Sequence, residues 1–570
     1  MFQKMKREAL ANKILVLGID GMDPKLTRKY VDQGIMPNVE KLINQGACRK
    51  DLVMLGAQPT VTPPMWTTMA TGAYPYTHGI TCFYRQSKED LDVREYNLDS
   101  TNCHAEPLWN VFAEAGKKTL VWHWPGSSWP PTSDSPNLHV VDGTQPAAVN
   151  MGVATTELDF VLTANRNVNV PHFRPKASSD KDVPCVLDDL QVDDKADEKG
   201  VMDRIMSKGM RKIILKPEDG EYVKIWSSGA LEINNDTVWH PHSLYKKVAE
   251  NVGHPKLPAI LGGANKQLLE ECMIGSWDEV LNWNANALNY LIDAEGYDVI
   301  FSQVHNIDAE GHMFLKFLKD KGQYMRDMTE ADYAYILELC YRETDEYIGK
   351  FMHLLDKGWT VLVISDHAQC CPEHNPHLIG DMGGLNAGVM SQLGLTVMKK
   401  DDDGNDLYEV DWEKTKAVQI RGNHIYINLK GRDKHGIVEP EDKYEVEEEI
   451  MTKLYGLRDE QTGKRIIALA LRNRDAILLG QGGPEAGDII FWNAEGYNYD
   501  HCDILSTTLG YADTSVSPIF IGAGPGLKPG YTERVIRQVD LVPTIAILGG
   551  VRMPAQCEGA PVYQILAEEY

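Results

Sequence analysis

Lys13-Ile14-Leu15-Val16-Leu17-Gly18-Ile19-Asp20-Gly21 is the stretch whose reading decides the fold. A strand with one wet face alternates apolar and polar residues. This run does not alternate, is rich in branched side chains, and stops at a carboxylate, as a parallel strand buried on both faces does. Ligands of open parallel sheets gather beyond the C-terminal ends of the strands, which is where Asp20 stands.

Working outward, residues 26–46 carry a helical period that Met36-Pro37-Asn38 restarts. A second pass gives a helix at 107–115, a strand at 118–122 and a loop rich in Trp and Pro through Trp129. The pattern resumes with a helix at 277–294, a strand at 298–304, a long helix at 331–357 and the apolar strand 360–364. It closes with a strand at 517–522 and a helix at 541–548. Strands alternating with helices predict an α/β fold with a mainly parallel sheet sandwiched by helices.

Two stretches break the alternation. Residues 165–200 are polar and without period, 210–240 alternate like strands, and 370–500 mix a helix at 444–457 with a segment at 464–475 that holds no obvious chemistry. The expected organisation is core at 1–150, an inserted cap at 151–275, core at 276–370, a second inserted cap at 371–500, and core at 501–570. No internal repeat is visible.

With 570 residues, 43% of them hydrophobic, the chain can bury a large core. Its formal charge of −25 argues against life on nucleic-acid backbone or on an anionic membrane surface. An anionic substrate would then need its attraction supplied locally, for example by metal ions. No apolar run reaches spanning length, and the first ten residues carry basic groups without an apolar stretch behind them. The ten cysteines are scattered, with one vicinal pair at Cys370-Cys371. Reduced thiols in a cytoplasmic protein is the expectation, unless a leader has been removed. Oligomeric state is not legible here.

Pro59-Thr60-Val61-Thr62-Pro63-Pro64-Met65-Trp66-Thr67-Thr68-Met69-Ala70-Thr71-Gly72 places a hydroxyl just ahead of two prolines and a helix. Proline is tolerated there because the first N–H groups lack an intrahelical acceptor. A hydroxyl at such an entrance faces orphan N–H groups and the positive end of the helix dipole, a place for an anion or an alkoxide. A plain Thr N-cap is the simpler reading of the segment taken alone.

Three core strands each end in potential metal ligands. The first supplies Asp20. The strand ending at Val304 leads into His305-Asn306-Ile307-Asp308-Ala309-Glu310-Gly311-His312, where Asp308 and His312 lie four apart and share a helix face. The strand ending at Ile364 leads into Ser365-Asp366-His367. Each piece alone is weak; together they set hard oxygen and borderline nitrogen donors at the edge where this fold binds ligands.

Ile19-Asp20-Gly21, Thr62 with its helix to Thr71-Gly72, Asp308-x-x-x-His312 and Ser365-Asp366-His367 resemble the alkaline phosphatase superfamily, in its type I phosphodiesterase/nucleotide pyrophosphatase branch. Gly524-Pro525-Gly526, Val539 to Ile545 and Gly550-Val551-x-x-Pro554 resemble that family's closing segment. The likeness covers about 10–125, 275–370 and 500–565. It implies an alkaline-phosphatase-like core and two divalent ions, Zn²⁺ first and Mn²⁺ second. One ion would be held by Asp20, Asp366 and His367 with Thr62, the other by Asp308, His312 and a late histidine, for which His501 is the choice. The family usually has His-Gly there, whereas this chain has His501-Cys502. Two ions roughly 4 Å apart would lower the Thr62 hydroxyl pKa and steady the leaving group. The implied activity is hydrolysis of phosphodiesters or nucleotide phosphoanhydrides through a phospho-threonine on Thr62. The partner would be a small anionic phosphate ester and not a nucleic-acid polymer or a membrane.

Two departures from the family matter. Its diesterases carry Asn three positions after the Thr, where this chain has Met65, so diester against monoester preference is open. The sulfatase branch needs C/S-x-P-x-R, and Thr62-Pro63-Pro64-Met65-Trp66 lacks both the formylglycine precursor and the Arg. A phosphomutase on the same core and a binding protein that keeps the fold are the rival classes; the intact nucleophile and ligands weigh against the second. His240, His242, His374 and His377 are read first as loop residues. Gly522-x-Gly524-x-Gly526 opens no helix and is read as a turn. Trp122, Trp124 and Trp129 are read as packing before stacking on a base or sugar.

Overall fold

The fold is seen in a computed structural model of the chain. The structure describes residues 8–87, 90–142, 236–256, 269–315, 328–370, 387–420, 422–494 and 513–567, with short strands between 144 and 227 and a few single positions.

In chain order the core elements are β1 (Lys13–Ile19), α1 (Pro24–Asp32), α2 (Pro37–Gln45), β2 (Ala47–Val53) and α3 (Thr62–Thr71). Next come β3 (Thr119–Trp122), β4 (Leu138–Val141), β5 (Trp239–His240), α4 (Gly275–Glu295) and β6 (Val299–Val304). Then follow α5 (Asn306–Phe314), α6 (Glu330–Gly349), β7 (Trp359–Ile364), β8 (Ile519–Ala523), β9 (Gly530–Tyr531) and α7 (Gln538–Leu548). The strands form one nine-stranded sheet in the order β5-β4-β3-β6-β1-β7-β8-β2-β9. Its centre, from β4 to β7, is parallel throughout.

Successive side chains of a strand point to opposite faces, and each face of this sheet has its own core. From β1, Leu15, Leu17 and Ile19 enter one cluster with α1, α2, α4 and α6. Ile14 and Val16 enter the other, with α3 and α7. β7 divides in the same way, Val361 and Val363 to the first cluster and Leu362 and Ile364 to the second. The unbroken apolar runs of the sequence therefore mark strands covered on both sides. Trp122 and Trp124 are fully buried, in opposite clusters, which is the packing role expected of them.

Some elements differ from the sequence expectation. The long helix expected at 331–357 is α6 followed, after a break, by a short helix at His353–Asp356. The last core strand β8 runs antiparallel to both β7 and β2, so the sheet is mixed on that side. Within the first expected insertion, β5 adds an outer strand beside β4, and Trp239 joins the main core. Further on, a four-stranded antiparallel sheet comprises Ala417–Ile420, His424–Ile427, Ile489–Asn493 and Ile467–Arg472. It has a separate core that includes Ile425, Ile427, Ile450 and Phe491. The segment at 464–475, in which no chemistry was expected, contains one of its strands.

Among the described residues, Cys48, Cys82, Cys103, Cys340 and Cys557 form no disulfide, and no helix is long and apolar enough to cross a membrane.

Candidate metal centre

Sheet order explains why residues hundreds of positions apart meet. β6, β1 and β7 are adjacent and parallel, so their C-terminal ends open on one edge. Asp20 follows β1, His305 follows β6 and starts the turn into α5, and Asp366 and His367 follow β7. All four side chains are buried or nearly so, as is Asp308. Gly21, at φ +66, makes the turn after Asp20 in a conformation that L side chains rarely adopt. Its N–H donates to Asp366 Oδ1 at 3.1 Å, tying the first strand end to the third.

Asp20, Asp366 and His367 each place a ligand atom within 4.8 Å of the other two, and so do Asp20, His305 and Asp308. Asp20 belongs to both groups. His367 Nε2 lies 3.5 Å from Asp20 Oδ1, 3.5 Å from Asp308 Oδ1 and 3.3 Å from Asp366 Oδ2. His312 Nε2 is 3.0 Å from Asp308 Oδ1, as expected for residues four apart on one helix.

His305 is the residue that sequence reasoning passed over. Its ring stands between two carboxylates, with Nδ1 3.0 Å from Asp20 Oδ2 and Nε2 3.1 Å from Asp308 Oδ2. The available signal was its place directly after Val304, the same kind of position that singled out Asp20. His501, and with it His374 and His377, lies outside the described residues. His240, expected to be a loop residue, is instead the exposed second residue of the edge strand β5, paired with Val140.

The electrostatics are those of a site built for positive charge. Burial pushes the Asp366 carboxyl well above its usual range, and the charges of Asp20 and Asp308 push the same way. At Asp308, burial also works upward, but His312 and His305 outweigh it and hold this carboxyl well below its usual range.

Thr62 is the first residue of α3. The N-cap is Val61, and no side chain caps the helix. The plain N-cap reading therefore fails: Thr62 is fully buried and its Oγ1 has no hydrogen-bond partner. The entrance is also poorer in donors than the sequence suggested. Pro63 and Pro64 have no N–H, and the Met65 N–H is committed to Val61 O at 3.1 Å. At most the Thr62 N–H is left to face an anion, so charge neutralisation here must come from elsewhere. One turn along the same face, the Trp66 indole donates to Asp20 Oδ2 at 2.9 Å. Trp66 can lie over the end of β1 because Gly18 has no side chain; a Cβ there would stand 2.4 Å from the indole ring.

Three glutamines brace the cluster. Gln303 Nε2 donates to Asp20 Oδ2 at 2.6 Å. Gln369 Nε2 reaches the Ile307 and Asp308 carbonyls at 3.4 Å each. Gln538, at the start of α7, donates to the Asp366 carbonyl and accepts from Ala57 N at 2.7 Å. No sequence pattern marks a glutamine for such work.

The family model for type I phosphodiesterase/nucleotide pyrophosphatase matches residues 14–511. The chain belongs to that family. Among curated members, it is 26% identical over 135 residues to ectonucleotide pyrophosphatase/phosphodiesterase family member 3 of Rattus norvegicus, covering 22% of this chain and 14% of the other. It is 27% identical over 121 residues to venom phosphodiesterase 2 of Crotalus adamanteus, covering 20% and 14%. These alignments thus span only 14% of either relative's length. Among solved structures, the wild-type alkaline phosphatase PafA is similar over 98% of this chain and 99% of its own, with a TM-score of 0.53 and 14% identity. That likeness shows a shared fold of the alkaline phosphatase kind.

In this phosphodiesterase-family chain the Asp/His cluster is the candidate seat for the divalent ions typical of the fold. The residues fit such a group. Among the described residues, Asp20 Oδ1, Asp366 Oδ2 and Thr62 Oγ1 are buried without hydrogen-bond partners, which is costly unless something electropositive meets them. Carboxylate and imidazole together suit zinc-class cations.

Proposed function

We propose that the chain hydrolyses phosphate esters, most readily phosphodiesters or nucleotide phosphoanhydrides, through a covalent phospho-Thr62 intermediate. The observation that carries this reading is the state of Thr62: a buried hydroxyl without a hydrogen-bond partner, on the helix face whose next turn touches Asp20. Thr67 Oγ1 on the same helix is also buried without a partner; what sets Thr62 apart is its place at the helix entrance, one turn before the Trp66 that holds Asp20.

In this reading Asp20, Asp366 and His367 hold one divalent ion, with Thr62 beside it, and Asp308 and His312 hold a second. His305 spans the carboxylates of both groups, and His501 is retained as the further ligand to the second ion. When bound, the ions neutralise the nonbridging oxygens of the phosphoryl group and lower the pKa of the attacking hydroxyl. Thr62 Oγ1 attacks phosphorus in line, the ester oxygen leaves, and the phosphoryl group is carried on Thr62 until water releases it. The α3 entrance contributes its dipole and the orientation of Oγ1. Trp66 and Gln303 hold Asp20 in place from behind. Met65 is buried, and its thioether has no N–H to offer the phosphoryl oxygens where the family's Asn would.

The test is a panel of chromogenic phosphodiesters, phosphomonoesters, nucleotide anhydrides and sulfate esters, run with metal analysis. Turnover of a phosphate ester that stops with a chelator and returns with zinc or manganese is the expected result. Full activity in metal-free protein, or turnover of sulfate esters alone, would overturn the reading.

A further inference from the structure

Behind the Asp/His cluster, α5 carries a second set of polar side chains. Glu310 lies two positions from both Asp308 and His312, so it leaves the opposite face of the helix and points toward α6. There Glu310, Cys340 and Glu343 are all buried, and each places a ligand atom within 4.8 Å of the other two. Cys340 and Glu343 are three apart on α6 and share its face.

Among the described residues, no Lys, Arg or His forms an ion pair with either acid. Glu310 is fully buried, with the Cys340 thiol as the hydrogen-bonding neighbour of its carboxyl; among the described residues Glu343 Oε2 has no hydrogen-bond partner. Glu343 Oε1 accepts from Asn306 Nδ2 at 3.1 Å. The charges that bear on Glu343 are those of Glu310, Asp278 and Glu346, all acidic. Two buried carboxyls side by side, one oxygen of Glu343 unmet and no cation beside them among the described residues, would be costly to the fold if ionised. Protons would hold the acids neutral, with the Cys340 thiol bonded to Glu310, but would leave Glu343 Oε2 unmet. One divalent cation would meet all three side chains at once.

We propose that Glu310, Cys340 and Glu343 bind a divalent cation of the zinc class, separate from any held by the Asp/His cluster. A thiolate in the donor set favours zinc over magnesium or calcium, which take oxygen donors. With the Cys340 thiol deprotonated on binding, the Glu310 carboxylate can supply two of four coordination positions. Asn306 braces the site: the same Nδ2 that donates to Glu343 also donates to Thr344 Oγ1 at 2.8 Å, and Thr344 Oγ1 in turn donates to Cys340 O at 2.9 Å. The ion clamps α5 to α6 and so fixes the opposite face of α5, which presents Asp308 and His312. The site is built from residues outside the hydrolytic reading and stands or falls independently of it.

The experiment uses the full chain loaded with zinc or cobalt. Zinc X-ray absorption of the wild type should contain a sulfur shell at about 2.3 Å, and the cobalt form should show a thiolate-to-cobalt charge-transfer band. Cys340→Ser should lose both and hold one metal equivalent fewer per chain. Should Cys340→Ser fail to fold, Glu310→Gln, which keeps the shape of the side chain, should show the same drop of one equivalent. Thr62→Ala, defective in turnover, should keep the sulfur shell. A wild type with only nitrogen and oxygen neighbours, a sulfur shell that persists in Cys340→Ser, or an unchanged metal content in Glu310→Gln would overturn the proposal.

Discussion

Trp66 Nε1 donates to Asp20 Oδ2 at 2.9 Å, so the helix that begins with Thr62 is fastened to the carboxylate at the end of β1. The proposed nucleophile and the proposed ligand are thus set by one side chain. Trp66→Phe removes the donor together with part of the ring that lies over Gly18. Hydrogen bonds to metal-ligating groups are worth about 10–100-fold in metal affinity. The expected outcome is a loss of that size, read by competition with a chelator; unchanged retention would show that the indole serves packing alone.

Thr62→Ala should cut turnover by about a thousandfold or more. Stability should move by less than about 1 kcal/mol, since no cap hydrogen bond is lost. Steady-state rates and urea midpoints measured side by side make the check. A large loss of stability would mean that the hydroxyl has a structural role.

Gly18→Ala should destabilise the chain by about 1–3 kcal/mol through overpacking. Its Cβ would stand 2.4 Å from the Trp66 ring and 2.8 Å from the Ser302 carbonyl. Gly275→Ala, where nothing lies within 4 Å, is the control. It should be neutral or stabilising by up to about 1 kcal/mol, because alanine favours helix. Equal midpoints for the two variants would refute the packing account of Gly18.

His305→Ala should lower the metal retained after dialysis, because the ring stands between Asp20 and Asp308 at 3.0 and 3.1 Å. Elemental analysis of His305→Ala beside His501→Ala separates the two histidines. Full metal content in the first would reduce His305 to a neighbour of the site.

The antiparallel sheet of the second insertion carries a pH signature. Arg432 grips Asp488 with two hydrogen bonds, at 2.8 and 2.9 Å, and Lys443 lies 3.1 Å from the same carboxylate. Burial raises the Asp488 carboxyl, but Arg432 and Lys443 outweigh it and depress its pKa below the usual value. A carboxylate depressed in the folded state adds stability above its unfolded pKa and loses it as pH falls through the folded value. Asp488→Asn should therefore cost about 1–3 kcal/mol at pH 7, and the gap to wild type should close below about pH 4. Denaturation curves at both pH values decide it; a gap that stays constant would exclude the ion pair as its source.

What the sequence disclosed follows from where physical information is local. The buried strands of 13–19 and 359–364 announce themselves because both faces are covered, so nearly every position is apolar. Asp20, Asp308, His312, Asp366 and His367 were legible because each adjoins such a strand end or repeats at helical spacing. Gln303, Gln369 and Gln538 were not, since an amide's task depends on what lies across the interface. Glu310 was hidden for another reason: in the sequence it is one more acid on a helix, and only the packing of α5 on α6 reveals that it is buried. The outer strand at Trp239–His240 is two residues long and has no period to detect. The entrance of α3 misled because two prolines, which signal a helix start, also remove the donors such a start would offer.

The hydrogen bond from Gly21 N to Asp366 Oδ1 closes a loop of 345 positions. Contacts that long-ranged are entropically late, and chains dominated by them fold slowly. The three strand ends that hold the acids cannot meet until β6, β1 and β7 are zipped side by side, so no early intermediate or proteolytic fragment carries the whole cluster. Cation capture then becomes a clock for the final stage of maturation. During refolding it should lag behind the gain of helical signal, and a chain released half-zipped would be blind to zinc.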